Sequence, residues 1–598
     1  MIGLNRKKMS LTPLGRFSLL GLILVGGSPA VRADITPPVS NDPSSAQQVP
    51  VEPPPRPAGK DNFVLPPLPF AAVLPDSAKS VQIREVQFEG NKVISDDELA
   101  KVTAEFLNRP LSAGDLELLR RKVSQYYYDK GYINSGAVFS SQSVADGVFK
   151  LNIIEGKLTQ VRQSGQGRLQ EFYIRDRLIA GGGDPLNING LKNSYELLKY
   201  NNPLIQDLNM RFMPGVRPGE ATLDVNVTRS RPYQLYLGAD DYSTAAVGTF
   251  AGRMGGWVDN ILGVGERIDA QFIANGGALG YNTGISLPIT AYDTRAEFRF
   301  TQSNSTLSEG QLAASNIYTQ ITGFDGGLAQ PVYRTLSDNL TLGLNISVRE
   351  SQTLQNNSCI NGSAFTGIAN PPSDTSQIPC SIQATVLRMK QSYKHISLDS
   401  GTALVFNSTF NAGLNALGAL PPQSGGQGGD FFSWLGQSMF DQRILPNGAK
   451  LVLRGNLQVS DRPLVPLERF ALGGAYTVRG YQQNTYIRDN GFNTNLEIKY
   501  PILDWFKYLN LDLSEDKHNL YLVPFLDYGG AWFNPTPATH VSTATNYLLS
   551  TGIGFNWQYK HIATDFYWAH AFTPANPAPL TSNAQSDGFF FRVNYNVF

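Results

Sequence analysis

Residues 339–349 read NLTLGLNISVR. Leu340, Leu342, Leu344, Ile346 and Val348 are apolar, while Thr341, Gly343, Asn345, Ser347 and Arg349 between them are not. A period of two marks a strand with two unlike faces. The pattern returns as Ala296, Phe298 and Phe300 against Arg295, Glu297 and Arg299. It returns again as Leu451, Leu453, Leu457 and Val459 against Lys450, Arg454, Asn456 and Gln458, and as Leu496, Ile498 and Tyr500 against Asn495, Glu497 and Lys499. A half-buried soluble sheet alternates in the same way, so one stretch decides nothing. Repetition decides. From about residue 232 to the end no helical segment covers these sheets, and their polar faces carry full charges of both signs, as a water-filled lumen would. About sixteen such segments over 232–598 leave about 23 residues per strand and connection, which suits strands of ~10 residues with alternating short turns and longer loops. Backbone groups in lipid must all be paired, so the sheet must close. The expected fold is mixed: a C-terminal transmembrane antiparallel β-barrel of about 16 strands over 231–598, preceded by smaller domains.

Composition agrees. The 598 residues include 57 Gly, 26 Tyr and 32 Phe, with only 16% charged. Mean hydropathy is −0.20, which excludes a bundle of membrane helices. Lys+Arg and Asp+Glu both number 49, so the net charge is zero and gives no support to a nucleic-acid partner.

Residues 1–33 read as a secretory signal peptide. Arg6, Lys7, Lys8 and Arg16 precede an apolar run from Phe17 to Val25, and Val31-Arg32-Ala33 has the form of a cleavage site. Residues 34–79 hold twelve prolines and form a Pro-rich linker. Over 80–156 the order is βααββ. The strand VQIREVQFEG leads to a helix with Ser95 as N-cap and Glu98 at the capping-box position. A second helix spans Ser112 to Lys130 and is stopped by Gly131, before strands near 137–141 and 148–154. The same order recurs over 157–230, with strand LTQVRQSG, helices near 170–178 and 190–198, and strands NMRFMPG and ATLDVNVTR. Gly181-Gly182-Gly183 lacks the Lys-Ser/Thr of a phosphate loop and reads as an interhelix turn.

Cys359 and Cys380 stand in a stretch rich in Ser, Asn, Gly and Pro. In an exported chain they read as a loop-closing disulfide between the seventh and eighth barrel strands. No His lies between them, so no zinc site is expected. None of the five histidines sits in an HExxH or CxxC setting, and His561 and His570 fall in strand-like stretches, where a barrel or rim role is expected. The sequence calls for no cofactor, no metal and no catalytic residues.

Several stretches then carry a resemblance. EVQFEGNKVISDDEL is similar to the opening of a POTRA domain. YYYDKGYINSGAVF with DGVFKLNIIEGKL resembles its close, and MPGVRPGEATLDVNV the end of a second one. LGGAYTVRGY contains Val478, Arg479, Gly480 and Tyr481, a motif of a long sixth loop, and PFLDYGGAW contains Phe525, Asp527 and Gly529 of a Phe-x-Asp-x-Gly motif. Over roughly 80–598 the chain resembles two-partner secretion outer-membrane transporters (TpsB, the haemolysin secretion/activation type), with POTRA 1 at 80–156 and POTRA 2 at 157–230. Family members often begin with a plug helix, whereas residues 34–60 here are broken by prolines. The last strand places Phe589, Phe591, Val593, Tyr595 and Val597 on one face, so the terminal Phe598 falls on the polar parity.

The resemblance implies an outer-membrane translocator whose POTRA domains, in the periplasm, recognise a large unfolded exoprotein (a TpsA-type adhesin, cytolysin or toxin). Export would pass through the barrel to the cell surface without ATP. Outer-membrane lipid and the barrel-assembly machinery are the other implied partners. Sheet edges in such domains could bind an extended peptide by β-augmentation. A barrel-protein insertase of the same superfamily is the alternative. It would share POTRA modules and VRGY but usually carries more than two modules. A passive porin would leave the periplasmic modules without a task. Within the barrel, Leu520, Leu522, Leu526 and Tyr528 share the lipid parity, so Tyr521, Val523, Phe525 and Asp527 face the lumen. Pro524 falls on the lipid parity and gives up a ladder bond. By resemblance the VRGY loop folds back inside the barrel, where Arg479 would pair with Asp527.

Overall fold

The computed structural model describes residues 80–139, 147–165, 167–308, 316–355, 358–359, 381–397, 399–419, 428–503, 518–535, 544–575 and 582–597. The expected signal peptide, the expected Pro-rich linker with the question of a plug helix, Cys380 and Phe598 lie outside these residues.

The first module is a three-stranded sheet under two helices. Strand Val148–Ile154 is central, parallel to Glu85–Glu89 and antiparallel to Gly136–Phe139. Helix α1 (Asp96–Thr103) starts at Ser95, whose hydroxyl accepts the Glu98 N–H. The reciprocal capping box occurs at α2 (Ala113–Asp129): Ser112 Oγ accepts the Asp115 N–H and Asp115 accepts the Ser112 N–H. Leu119, Val123 and Tyr127 recur on one face of α2 and are fully buried against Leu151 and Ile153.

The second module repeats this topology. Strand Glu220–Arg229 is central, parallel to Lys157–Ser164 and antiparallel to Ile205–Pro214, beneath α3 (Glu171–Gly182) and α4 (Ile188–Tyr200). The three glycines are not simply the interhelix turn expected of them. Gly181 and Gly182 end α3, and only Gly183, at φ +76°, is its cap. A Cβ on Gly181 would lie 1.7 Å from Ser194 Oγ, and one on Gly190 would lie 2.2 Å from the Gly181 carbonyl. Gly181 and Gly190 are there because the two helices touch backbone to backbone. The Ile188 N–H donates to the Gly131 carbonyl (2.9 Å) and Asn134 Nδ2 to the Gly219 carbonyl (2.7 Å), joining the modules.

From Tyr233 on, sixteen antiparallel strands of eight residues or more close into a barrel, the last (Phe589–Asn596) pairing with the first (Tyr233–Asp240). Among the described residues no helix is long and apolar enough to cross a membrane. Parity follows the sequence. Leu342, Leu344, Ile346, Phe298, Leu453, Leu457, Leu496 and Ile498 are exposed on the outer wall, and their polar neighbours line the inside. There Asp269 pairs with Arg299 (2.9 Å), Glu468 with Arg388 (2.6 Å) and Asp565 with Arg592 (2.5 Å). Val523, Phe525 and Asp527 are buried, whereas Leu526 and Tyr528 face outward. The ladder between Asn490–Pro501 and His518–Trp532 lapses between Glu497↔Phe525 and Tyr500↔Leu522, where Pro524 has no N–H to offer. His570 lies in strand Ile562–Ala571 and meets the ring of Phe572, while His561 lies at a turn against Tyr595. Cys359 ends a short strand segment beside the seventh barrel strand, Asp338–Gln355.

The second module is docked on the barrel's short turns. Asp293, in the turn after Ala278–Pro288, takes Arg177 of α3 at 3.0 Å and Arg334 at 2.6 Å, with Arg295 at 3.7 Å. The Arg177 guanidinium also covers the Tyr173 ring at 3.7 Å. Burial pushes the Asp293 carboxyl up, but the three guanidiniums outweigh it and hold the group down to about 2.

Candidate functional site: the loop held inside the barrel

Residues 461–489 connect strands Lys450–Ser460 and Asn490–Pro501 and fold inward. Three features fix the fold-back. Phe470–Leu472 pairs antiparallel with Tyr486–Arg488, giving the loop its own hairpin. Asp489, 1% exposed, accepts the Leu464 N–H (3.0 Å), Arg469 Nε (3.2 Å) and the Asn534 N–H (2.9 Å), tying both stems to the next outer loop. A tight turn carries the tip: Gly473 and Gly474 have φ of +106° and +99°, the Thr477 hydroxyl accepts the Gly473 N–H, and the Val478 carbonyl accepts that of Gly474.

The turn presents Arg479 to the wall. Its Nε lies 2.7 Å from Asp527 Oδ2 and its Nη2 2.8 Å from Oδ1, and its backbone N–H donates to Oδ2 at 3.1 Å. One carboxylate therefore takes three bonds from one residue, two of them the parallel pair of a guanidinium fork. The remaining Nη1 reaches Glu497 Oε1 at 2.9 Å, and Glu497 also takes Arg454 at 3.0 Å. The guanidinium carbon lies over Phe525, 3.6 Å from the ring centroid, with Tyr567 at 4.7 Å. Arg479 is 4% exposed and Asp527 0%, so the pair is sealed from the water of the lumen.

The other motif residues have separate tasks. Val478 is fully buried with Phe470, Leu472 and Leu548. Gly480, at φ +89°, leaves room where a Cβ would lie 3.2 Å from that of Ala569. Tyr481 Oη donates toward Thr573 O (2.8 Å) and Leu549 O (3.0 Å). Gly529 makes space for Leu472, whose Cδ1 would lie 2.6 Å from an added Cβ.

The structure thus brings together Arg479, Phe525 and Asp527 and places Gly529 under the same loop. Sequence reasoning missed Glu497, Arg454 and Tyr567. Glu497 sits on the polar parity of its strand, which was a signal, but its place beside Arg479 depends on strand register. Cys359 lies away from this site, beside the strand Asp338–Gln355, and Cys380 is outside the described residues. Among those residues no group of three or more His, Cys, Asp or Glu is placed to hold a metal ion.

Residues 81–156 match the family model described as POTRA domain, ShlB-type, and residues 377–557 match that of the haemolysin secretion/activation protein ShlB/FhaC/HecB. The outer membrane transporter CdiB-2 of Burkholderia pseudomallei is 23% identical, over 79% of this chain and 77% of its own. The outer membrane transporter CdiB of Dickeya dadantii is 24% identical, over 67% and 69%. Among solved structures, CdiB from Escherichia coli superposes with a TM-score of 0.63 at 18% identity, covering 88% of this chain and 93% of that one, which speaks to the fold. With its match to the ShlB-type POTRA model, its closed barrel and the ShlB/FhaC/HecB match across the inward-folded loop, the chain is similar to the outer-membrane transporters of the haemolysin secretion/activation family.

Proposed function

We propose that this protein binds a large, unfolded exoprotein in the periplasm through its two modules, read as POTRA 1 (80–156) and POTRA 2 (157–230), and passes it through the barrel to the cell surface. The observation that carries this reading is the loop of Arg479, anchored to the wall inside a sixteen-strand barrel whose short turns hold the second module. A barrel of this size encloses an aqueous passage. The loop is the part positioned to define the path through it, and Val478–Tyr481 with Phe525, Asp527 and Gly529 set where it stands. Paired charges of both signs along the wall let a polar chain slide without a single-sign binding site. Sheet edges such as Gly136–Phe139 and Ile205–Pro214 offer backbone groups to an extended chain. The drive is the folding of the exported protein outside, so the protein acts as a conduit and not as an enzyme. Outer-membrane lipid contacts its apolar wall, and the barrel-assembly machinery is its partner during biogenesis. The ShlB-type matches favour this reading over an insertase.

The test deletes residues 80–156 and follows a large exoprotein that the full-length chain exports. Export should stop while the barrel still reaches the membrane. Unchanged export would refute recognition by the first module.

A further inference from the structure

We infer that the inward-folded loop also latches the barrel's closing seam, with Gln585 as the positioning residue that couples them. The seam is the weakest junction of the wall. The first and last strands share five paired residues, Tyr236–Asp240 with Arg592–Asn596, whereas the next shortest junction has seven and the longest seventeen. One backbone bond prolongs the ladder at each end: the Val597 N–H to Leu235 O (2.9 Å) and the Asp241 N–H to Phe591 O (3.3 Å). Above that point side chains take over. The Asp241 carboxylate accepts the Phe591 N–H at 2.8 Å. Gln585, fully buried, donates from Nε2 to the carbonyls of Asp241 and of Ser243, the latter at 2.8 Å, bridging the last loop to the exit of the first strand.

The same side chain is held from the other direction by the loop. Gln585 Oε1 accepts the Gln483 N–H at 2.9 Å, two residues beyond Tyr481. A second contact runs parallel: Tyr476, at the loop's tip, meets Tyr242 edge to face at 5.4 Å, and Tyr242 in turn lies under Arg592 of the last strand at 5.7 Å. Residues 476–483 therefore touch the wall at Asp527, at Ala569 and at both sides of the seam. A primary amide has two acceptor sites and two donors, and Gln585 uses both kinds at once, loop on one side and seam on the other. A loop that leaves the wall withdraws one ligand of Gln585 and the ring against Tyr242 together. Release of Arg479 and loosening of the seam are then two readings of one equilibrium.

The test needs no exported substrate, so its failure leaves the export reading standing. Spin labels are placed at Ala239→Cys and Val593→Cys, directly opposed across the seam on the lipid face, with Cys359 and Cys380 replaced by Ser. A control pair uses Leu453→Cys and Leu496→Cys, opposed at another junction. In proteoliposomes both pairs should show strong dipolar broadening. Arg479→Ala, which frees the loop from Asp527 without touching the seam strands, should abolish broadening at the seam and spare the control. Gln585→Ala should do the same. Seam broadening that survives Arg479→Ala unchanged overturns the coupling. Loss at both pairs would mark a barrel that failed to assemble. Gln585→Glu, which keeps the side chain's size but removes its donors, then decides: loss at the seam alone upholds the latch, and an unchanged seam overturns it.

Discussion

Asp527→Asn perturbs the anchor with the least change of shape. The amide keeps one acceptor for Arg479 but loses the charge that draws the guanidinium out of water. Exposed ion pairs contribute only ~0–1 kcal/mol, but this pair is sealed, with Asp527 at 0% and Arg479 at 4% exposure. Removing one partner of a buried pair costs about 3–5 kcal/mol, because the other charge is left without compensation. Here Glu497 stays 2.9 Å from Nη1 and partly compensates, which places Asp527→Asn at the lower end. Arg479→Ala removes all side-chain bonds to Asp527 and belongs at the upper end. At about 1.4 kcal/mol per decade, the ratio of anchored to released loop should fall about 10²-fold for the first and roughly 10³- to 10⁴-fold for the second. Glu497→Gln should have a smaller effect than either, since Asp527 keeps the fork and the backbone bond. Arg479→Lys supplies a point charge where a planar fork is needed and should fall between. The assay is secretion of the exoprotein alongside heat-modifiable migration of the barrel. Secretion should drop sharply in both single variants while migration stays near normal, and the charge exchange that combines Arg479→Asp with Asp527→Arg should restore part of it. Normal secretion from both single variants would refute the claim that this contact governs transport.

The docking of the second module should depend on pH in one direction only. The Asp293 carboxyl is held down to about 2 from 3.8 by Arg334 and Arg295 of the barrel as well as by Arg177, so docking receives only the Arg177 share of the ~2 kcal/mol, present above pH 4 and lost as pH falls toward 2. Energy transfer between a label on α3 and one on a barrel turn should report undocking over that window, and Asp293→Asn should show it already at pH 7; docking that is indifferent to both refutes the knot. Cys359 and Cys380 should appear as one linked peptide in non-reducing mass mapping of native membranes, closing a loop at a gain of ~3 kcal/mol if the open chain is unconstrained. Two free thiols there would end that reading.

The barrel was legible because its signal is local. Each strand declares its two faces within ten residues, and the parity of 520–528 put Asp527 inside before any strand was paired. The modules were legible for a similar reason: the helical span read from Ser112 to Lys130 and the stop at Gly131 bound α2 to within a residue. What the sequence hid depends on register or on close approach. Arg454 stands opposite Asn495 and reaches Glu497 diagonally, so their pairing follows from how two strands 40 residues apart line up. Gly181 carried a turn signal, because glycine is common in turns, yet here with Gly190 it serves a helix crossing that only the packed pair reveals. Gln585 has no periodicity around it at all; its three bonds join segments from opposite ends of the barrel sequence.

The charge balance of the chain acquires a physical meaning inside the barrel. Equal numbers of acids and bases say nothing by themselves, but the described lumenal charges are largely spent on each other, as Asp269 with Arg299, Glu468 with Arg388 and Asp565 with Arg592. A wall of unpaired cations would retain acidic segments of a passing chain, and a wall of anions basic ones. Pairing removes both traps while keeping the surface wet. Two pairings stand where separate parts meet: Asp293 gathers guanidiniums from the second module and the barrel turns, and Asp527 takes the fork of the loop. In both places one carboxylate from the barrel holds an arginine from a separable part. The barrel thus supplies a fixed anion to each part that must be positioned and a neutralised surface to the chain that must pass.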